Sequence, residues 1–92
     1  MDPLTLIGSQ QRLEILRHLS TRDMYVSELM QEIGMDGTTA THHLDVLSDA
    51  GVIESYSEGR RKYYTLVKEL TVEISPSPQR RFIVQFSDIT DE

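Results

Sequence analysis

Apolar residues recur at helical spacing through the first half of the chain and at alternate positions through much of the second half, with the change of period near Gly51. Pro3 to Ile7 reads as a short apolar turn. Ser9 can cap a helix over about residues 10–20, whose apolar positions are Leu13, Leu16 and Leu19 with Ile15 beside them. After the polar break Thr21-Arg22-Asp23 comes the β-prone pair Tyr25-Val26. Ser27 is then the cap candidate for a second, short helix carrying Leu29, Met30 and Ile33, which Gly34 ends. Asp36 is the next cap, and Ala40, Leu44 and Leu47 fall on one face of a third helix until Gly51 stops it.

Beyond Gly51 two β-rich stretches, Val52–Tyr56 and Lys62–Leu66, flank Ser57-Glu58-Gly59-Arg60-Arg61, which predicts a hairpin with a basic tip. A second hairpin follows. Leu70, Val72 and Ile74 alternate with polar residues, Ser75-Pro76-Ser77-Pro78 forbids regular structure, and Phe82, Val84 and Phe86 resume the alternation after a wide turn over 75–80. The adjacency of Phe82 and Ile83 implies that both faces of this hairpin are covered. Asp88 to Glu92 reads as a solvated, frayed tail. The pattern predicts an α+β domain with a three-helix core, a hairpin, and an additional C-terminal hairpin whose role is either to complete the core or to meet a second copy.

Composition narrows the function classes. Ninety-two residues form one small domain, and the absence of cysteine excludes disulfides, thiolate zinc sites and thiol redox sensing. No apolar stretch approaches the length of a bilayer crossing, and no signal-peptide pattern follows Met1, so the expected location is the cytoplasm. The net charge of -6 argues against a nucleic-acid partner when taken as a total. Its distribution changes that conclusion. Residues 1–36 hold three bases and six acids and residues 69–92 two and five, whereas residues 37–68 are balanced at four and four.

Within that balanced segment the third helix carries Thr38, His42, Asp45 and Asp49 opposite its apolar stripe, with Thr39 and Val46 at the flank and Thr41 nearer the boundary. Hydroxyls and an imidazole near a helix N-terminus can reach base edges or phosphates in a major groove, and the positive dipole end favours phosphate oxygens. Arg60, Arg61 and Lys62 at the hairpin tip can grip the adjacent backbone. A polar helix face or a basic turn taken alone is usually solvated surface; the weight lies in their conjunction at these separations. His42 and His43 project about 100° apart on a helix and cannot readily share a metal ion, and His43, toward the apolar side, reads as a packing residue.

From Gly8 to Leu66 the chain resembles the ArsR-type winged helix-turn-helix regulators. Thr41-His42-His43-Leu44 with Leu47, the exit Ala50-Gly51-Val52-Ile53, and Glu58-Gly59-Arg60 followed by Tyr63-Tyr64-Thr65-Leu66 carry the resemblance. It implies a winged helix-turn-helix fold, a homodimer, and a transcriptional repressor or related regulator acting on pseudo-palindromic double-stranded DNA. It further implies base-edge and phosphate contacts at Thr38, Thr39, Thr41 and His42, and wing contacts at Arg60, Arg61 and Lys62. Residues 1–68 would be the DNA-binding unit and 69–92 an extension of the same domain. Metal-sensing relatives carry cysteines in the helix before the turn or histidines near the C-terminus. Residues 26–33 hold no cysteine and no histidine follows His43, so no metal or other cofactor is expected.

Asp45 stands where many relatives have a base; it can repel a phosphate or accept from a cytosine amino group. With Asp49 and the negative total, it motivates the alternative of a winged-helix protein-interaction module without DNA binding. No phosphate loop, cysteine nucleophile or paired metal ligands point to an enzyme. For dimerisation, Leu4, Leu6 and Ile7 and the strands of the terminal hairpin are the candidate surfaces.

Overall fold

A computed structural model describes residues 1–89. The segment at the start is helical: α1 spans Pro3–Ile7, with Pro3 in the first turn and the Asp2 carboxylate accepting from the Thr5 N–H at 2.9 Å. Helix α2 spans Gln10–Leu19, capped as expected by Ser9, whose Oγ accepts from Arg12 N–H at 3.2 Å. The short strand β1, Met24–Tyr25, leads directly into α3, Val26–Ile33.

Helix α3 therefore starts ahead of Ser27, which is exposed and does not cap it. The reason lies in the sheet. Pairing with Tyr63 holds Tyr25 extended (φ -97, ψ 165), making it the N-cap, and the Glu28 carboxylate accepts from its N–H at 3.2 Å. At the other end Gly34 adopts φ 80, and its N–H and that of Met35 both donate to the Met30 carbonyl. This tight reversal leads to α4, Gly37–Asp49, capped by Asp36 through the Thr39 N–H at 2.7 Å.

Strands β2, Ile53–Glu58, and β3, Arg61–Leu66, form the predicted hairpin, and β1 joins the free side of β3 to give the order β1-β3-β2. The turn is tighter than the sequence suggested. Glu58 pairs with Arg61, so only Gly59 and Arg60 lie outside the ladder. Gly59 has φ 63 while Arg60 keeps a negative φ, the pattern of a type II′ turn, whose twist matches that of the strands it joins.

The core is built from one stripe of each helix and the inner residues of the sheet. Ile15, Leu29, Ala40, Leu44, Leu47 and Ile53 are fully buried, and each large apolar side chain so placed contributes roughly 1.5–3 kcal/mol. Leu6 is buried with them and Ile7 packs alongside, whereas Leu4 is exposed. Leu6 and Ile7 thus serve the monomer core. Among the described residues no buried side-chain nitrogen or oxygen lacks a hydrogen-bond partner, and no helix is long and apolar enough to cross a membrane.

The second hairpin comprises β4, Lys68–Ile74, and β5, Phe82–Asp88, as a separate two-stranded ribbon. It touches the body through α1 and through Phe86, which packs against the core. The expectation that both faces are covered does not hold: Phe82 is 64% exposed while its neighbour Ile83 is half-buried. Asp88 belongs to β5 and is ion-paired with Lys68 across the ladder, so the expected frayed tail does not begin there. Ile89 follows the strand, exposed and outside regular structure, and the rest of that expectation, residues 90–92, lies outside the described residues.

Candidate nucleic-acid interface

Helix α4 is buried along Ala40, His43, Leu44 and Leu47 and open on the other side. Thr38, Thr41, His42 and Asp45 are all exposed and, with Gly37, line one shallow open concavity. Thr39 sits at the flank, half-buried, its N–H engaged by Asp36. That hydrogen bond holds the Asp36 carboxyl below its ordinary pKa, so the cap stays anionic. The amides of Gly37 and Thr38, in the first turn, have no carbonyl one turn ahead of them within the helix, and that of Thr38 also turns toward the Asp36 carboxylate.

The wing brings its three bases to one end. Arg60 is exposed on the turn. The Arg61 guanidinium lies 4.4 Å from the centre of the Tyr25 ring, and the Lys62 ammonium 5.5 Å from that of Tyr64. Among the described residues none of the three is held in an ion pair. Under Arg61 runs an aromatic ladder: Tyr25 meets Tyr63 edge-on at 5.5 Å, and Tyr56 stacks on Tyr63 at 5.6 Å. The Tyr56 hydroxyl donates to Asp23 at 2.6 Å, and the neighbouring carboxylate pushes its pKa up to about 12.

One further group joins the interface helix to the body. His43 is buried, and its two ring nitrogens meet Arg12 (3.2 Å from Nδ1) and the Gln11 side-chain oxygen (2.9 Å from Nε2). The same guanidinium donates to the carbonyls of Leu6 at 2.7 Å and Thr5 at 3.2 Å. Helices α1, α2 and α4 are thereby tied by one polar brace. The sequence placed His43 among packing residues but gave no hint of Arg12 or Gln11, which lie about thirty positions away. The tyrosine ladder was also missed. A two-residue turn at Gly59 puts Tyr56 opposite Tyr63, whereas the wider expected turn does not.

Among the described residues no group of three or more histidine or acidic side chains is gathered to hold a metal ion. The His42 and His43 rings are 5.4 Å apart and tilted by 56°, one exposed and the other committed to the brace.

Helices α2, α3 and α4, with a tight turn between the last two, and a basic-tipped hairpin define a winged helix-turn-helix domain of DNA-binding regulators. Residues 9–55 match the family described as bacterial regulatory protein, arsR family, and the chain belongs to that family. Over 63 residues, 68% of this chain, it is 33% identical to the HTH-type transcriptional regulator Rv0324 of Mycobacterium tuberculosis, of whose length it spans only 28%. Over 68 residues it is 32% identical to the uncharacterized HTH-type transcriptional regulator MJ1325 of Methanocaldococcus jannaschii, covering 73% of this chain and 76% of that one. Among solved structures, the homodimeric winged helix-turn-helix DNA-binding domain Mb0332 of Mycobacterium bovis, a possible ArsR-family transcriptional regulator, superposes with a TM-score of 0.63 at 32% identity. The match covers 67% of this chain and 57% of that one. The family is one of regulatory proteins, and both relatives are named as transcriptional regulators.

Proposed function

We propose that the chain works in the cytoplasm as a homodimer that binds inverted-repeat operators in double-stranded DNA and represses transcription, with residues 1–68 reading the DNA and 69–92 extending that domain. The observation that carries this reading is the outer face of α4. Thr38, Thr41, His42 and Asp45 stand exposed around one concavity that runs from the N-terminal turn of the helix to its middle. In the major groove these side chains, with Thr39 at the edge, face base edges and phosphates, while Arg60, Arg61 and Lys62 contact the flanking backbone. The homodimeric state of the Mycobacterium bovis domain supports the pairing of two such units.

Selection of bound fragments from a random DNA pool by the full chain tests the reading. Enrichment of one two-fold symmetric motif is expected, its half-site centres about 10–10.5 base pairs apart or a multiple of that. Retention of no DNA at about 50 mM salt, where phosphate contacts are strongest, overturns DNA binding and favours the protein-interaction module that Asp45 and Asp49 suggest; DNA retained without a motif overturns the operator.

A further inference from the structure

The register of β4 and β5 sorts their side chains onto two unlike faces. Leu70 opposes Phe86, Val72 opposes Val84 and Ile74 opposes Phe82, so one face is apolar from Leu70 to the tip, with the Lys68–Asp88 ion pair at its foot. The other carries Glu69, Thr71 and Glu73 against Ser87, Gln85 and Ile83. The base of the apolar face is used by the monomer, since Phe86 packs on the core. Its far end is not: Val72 is 51% exposed, Phe82 64% and Ile74 70%. Beside the base an apolar groove of about 530 Å³ opens between α2 and the ribbon, lined by Leu13, Leu16, Leu66, Leu70, Phe86 and Ile89. Leu70 and Phe86 belong to both, so groove and ribbon face form one continuous apolar surface.

A two-stranded ribbon in water is marginal, and a soluble monomer rarely leaves such a surface open. The family match ends at residue 55, so the ribbon lies outside the segment that identifies the family. Two features point to a second copy of this chain as the occupant. The surface holds both a projection and a groove, as a contact between two-fold related copies requires. Laid face to face and antiparallel, two ribbons bring the tip of each over the base of the other.

Resting on the homodimer reading above, we infer that the dimer contact is this apolar ribbon face: Ile74 and Phe82 of each copy enter the groove beside Leu13 and Phe86 of the other. Sedimentation equilibrium on the full chain tests it. The unaltered protein is expected to be dimeric, and Phe82→Glu and Leu13→Glu, each at an exposed position on opposite partners of the contact, are expected to raise the dimer dissociation constant about 100-fold or more by forcing a carboxylate into an apolar contact. Should either variant fail to fold by circular dichroism, Ile74→Glu, at an exposed position near the tip of the same face, decides in its place and is expected to weaken the dimer to a similar extent. Dimers of unchanged affinity in the folded variants overturn the ribbon contact while leaving the homodimer reading standing. A monomeric unaltered protein overturns both.

Discussion

Arg12 and His43 meet at 3.2 Å, guanidinium nitrogen to imidazole Nδ1, in a contact that dictates the tautomer of the ring. A guanidinium only donates, so Nδ1 accepts, the ring proton resides on Nε2, and Nε2–H donates to the Gln11 oxygen. A second ring proton would have to sit between two donors. Burial, the Arg12 charge and His42 together hold the His43 pKa below its ordinary value.

Stability should therefore depend on pH through this ring. The folded chain resists a proton that the unfolded chain accepts, so the contribution of neutral His43 is complete above about pH 6.5 and declines as pH falls through that value toward the lower folded pKa. Thermal midpoints at pH 8 and pH 5 for the protein and for His43→Gln isolate the effect. The variant, whatever its overall stability, is expected to lose less on acidification. An equal loss in both would show that the brace does not sense protons.

The wing residues should separate by what lies beneath them. Arg60→Ala is expected to weaken DNA binding without moving the melting temperature, because Arg60 is exposed on the turn. Arg61→Ala should weaken binding and also lower stability by about 0.5–1 kcal/mol, through loss of the contact with Tyr25. Together they should flatten the dependence of log affinity on log salt by at most about two. Binding titrations at several salt concentrations, alongside thermal melts, measure both effects; an unaltered slope in the double variant removes the wing from the DNA contact.

On α4 the expected signature is a change of sequence preference rather than of fold. Thr41→Ala and His42→Ala alter exposed side chains, so melting should stay within about 0.5 kcal/mol of the original. Discrimination at the base pair each one reads should fall by about 1–3 kcal/mol. Competition between the selected operator and its single-base variants provides the measurement, and uniform weakening at every position would reassign these residues to phosphate contact.

Much of the fold was legible because its signals are local. Ser9 and Asp36 precede their helices as caps, Gly34 and Gly59 sit where φ is positive, and the Ala40-Leu44-Leu47 stripe needs only helical spacing. The start of α3 was not legible from Ser27, because Tyr25 is held extended by a strand almost forty residues later. The Arg12–His43 brace and the Tyr56–Tyr63 stack likewise depend on tertiary placement and on an exact register. Phe82 and Ile83 mislead for a related reason: two adjacent apolar residues in a ribbon say that each face holds one, not that each face is covered.

Six consecutive pairs joined by a turn of only two residues leave the β2–β3 hairpin no slack. Its tip can change chemistry freely but not length. Deleting one residue there would shift β3 by one place against β2, and a slip of one exchanges the inward and outward sides of a strand. Tyr64, now buried, would trade places with Tyr63 of the outer stack, so a single codon lost at the tip should disturb the interior more than the replacement of every arginine on it.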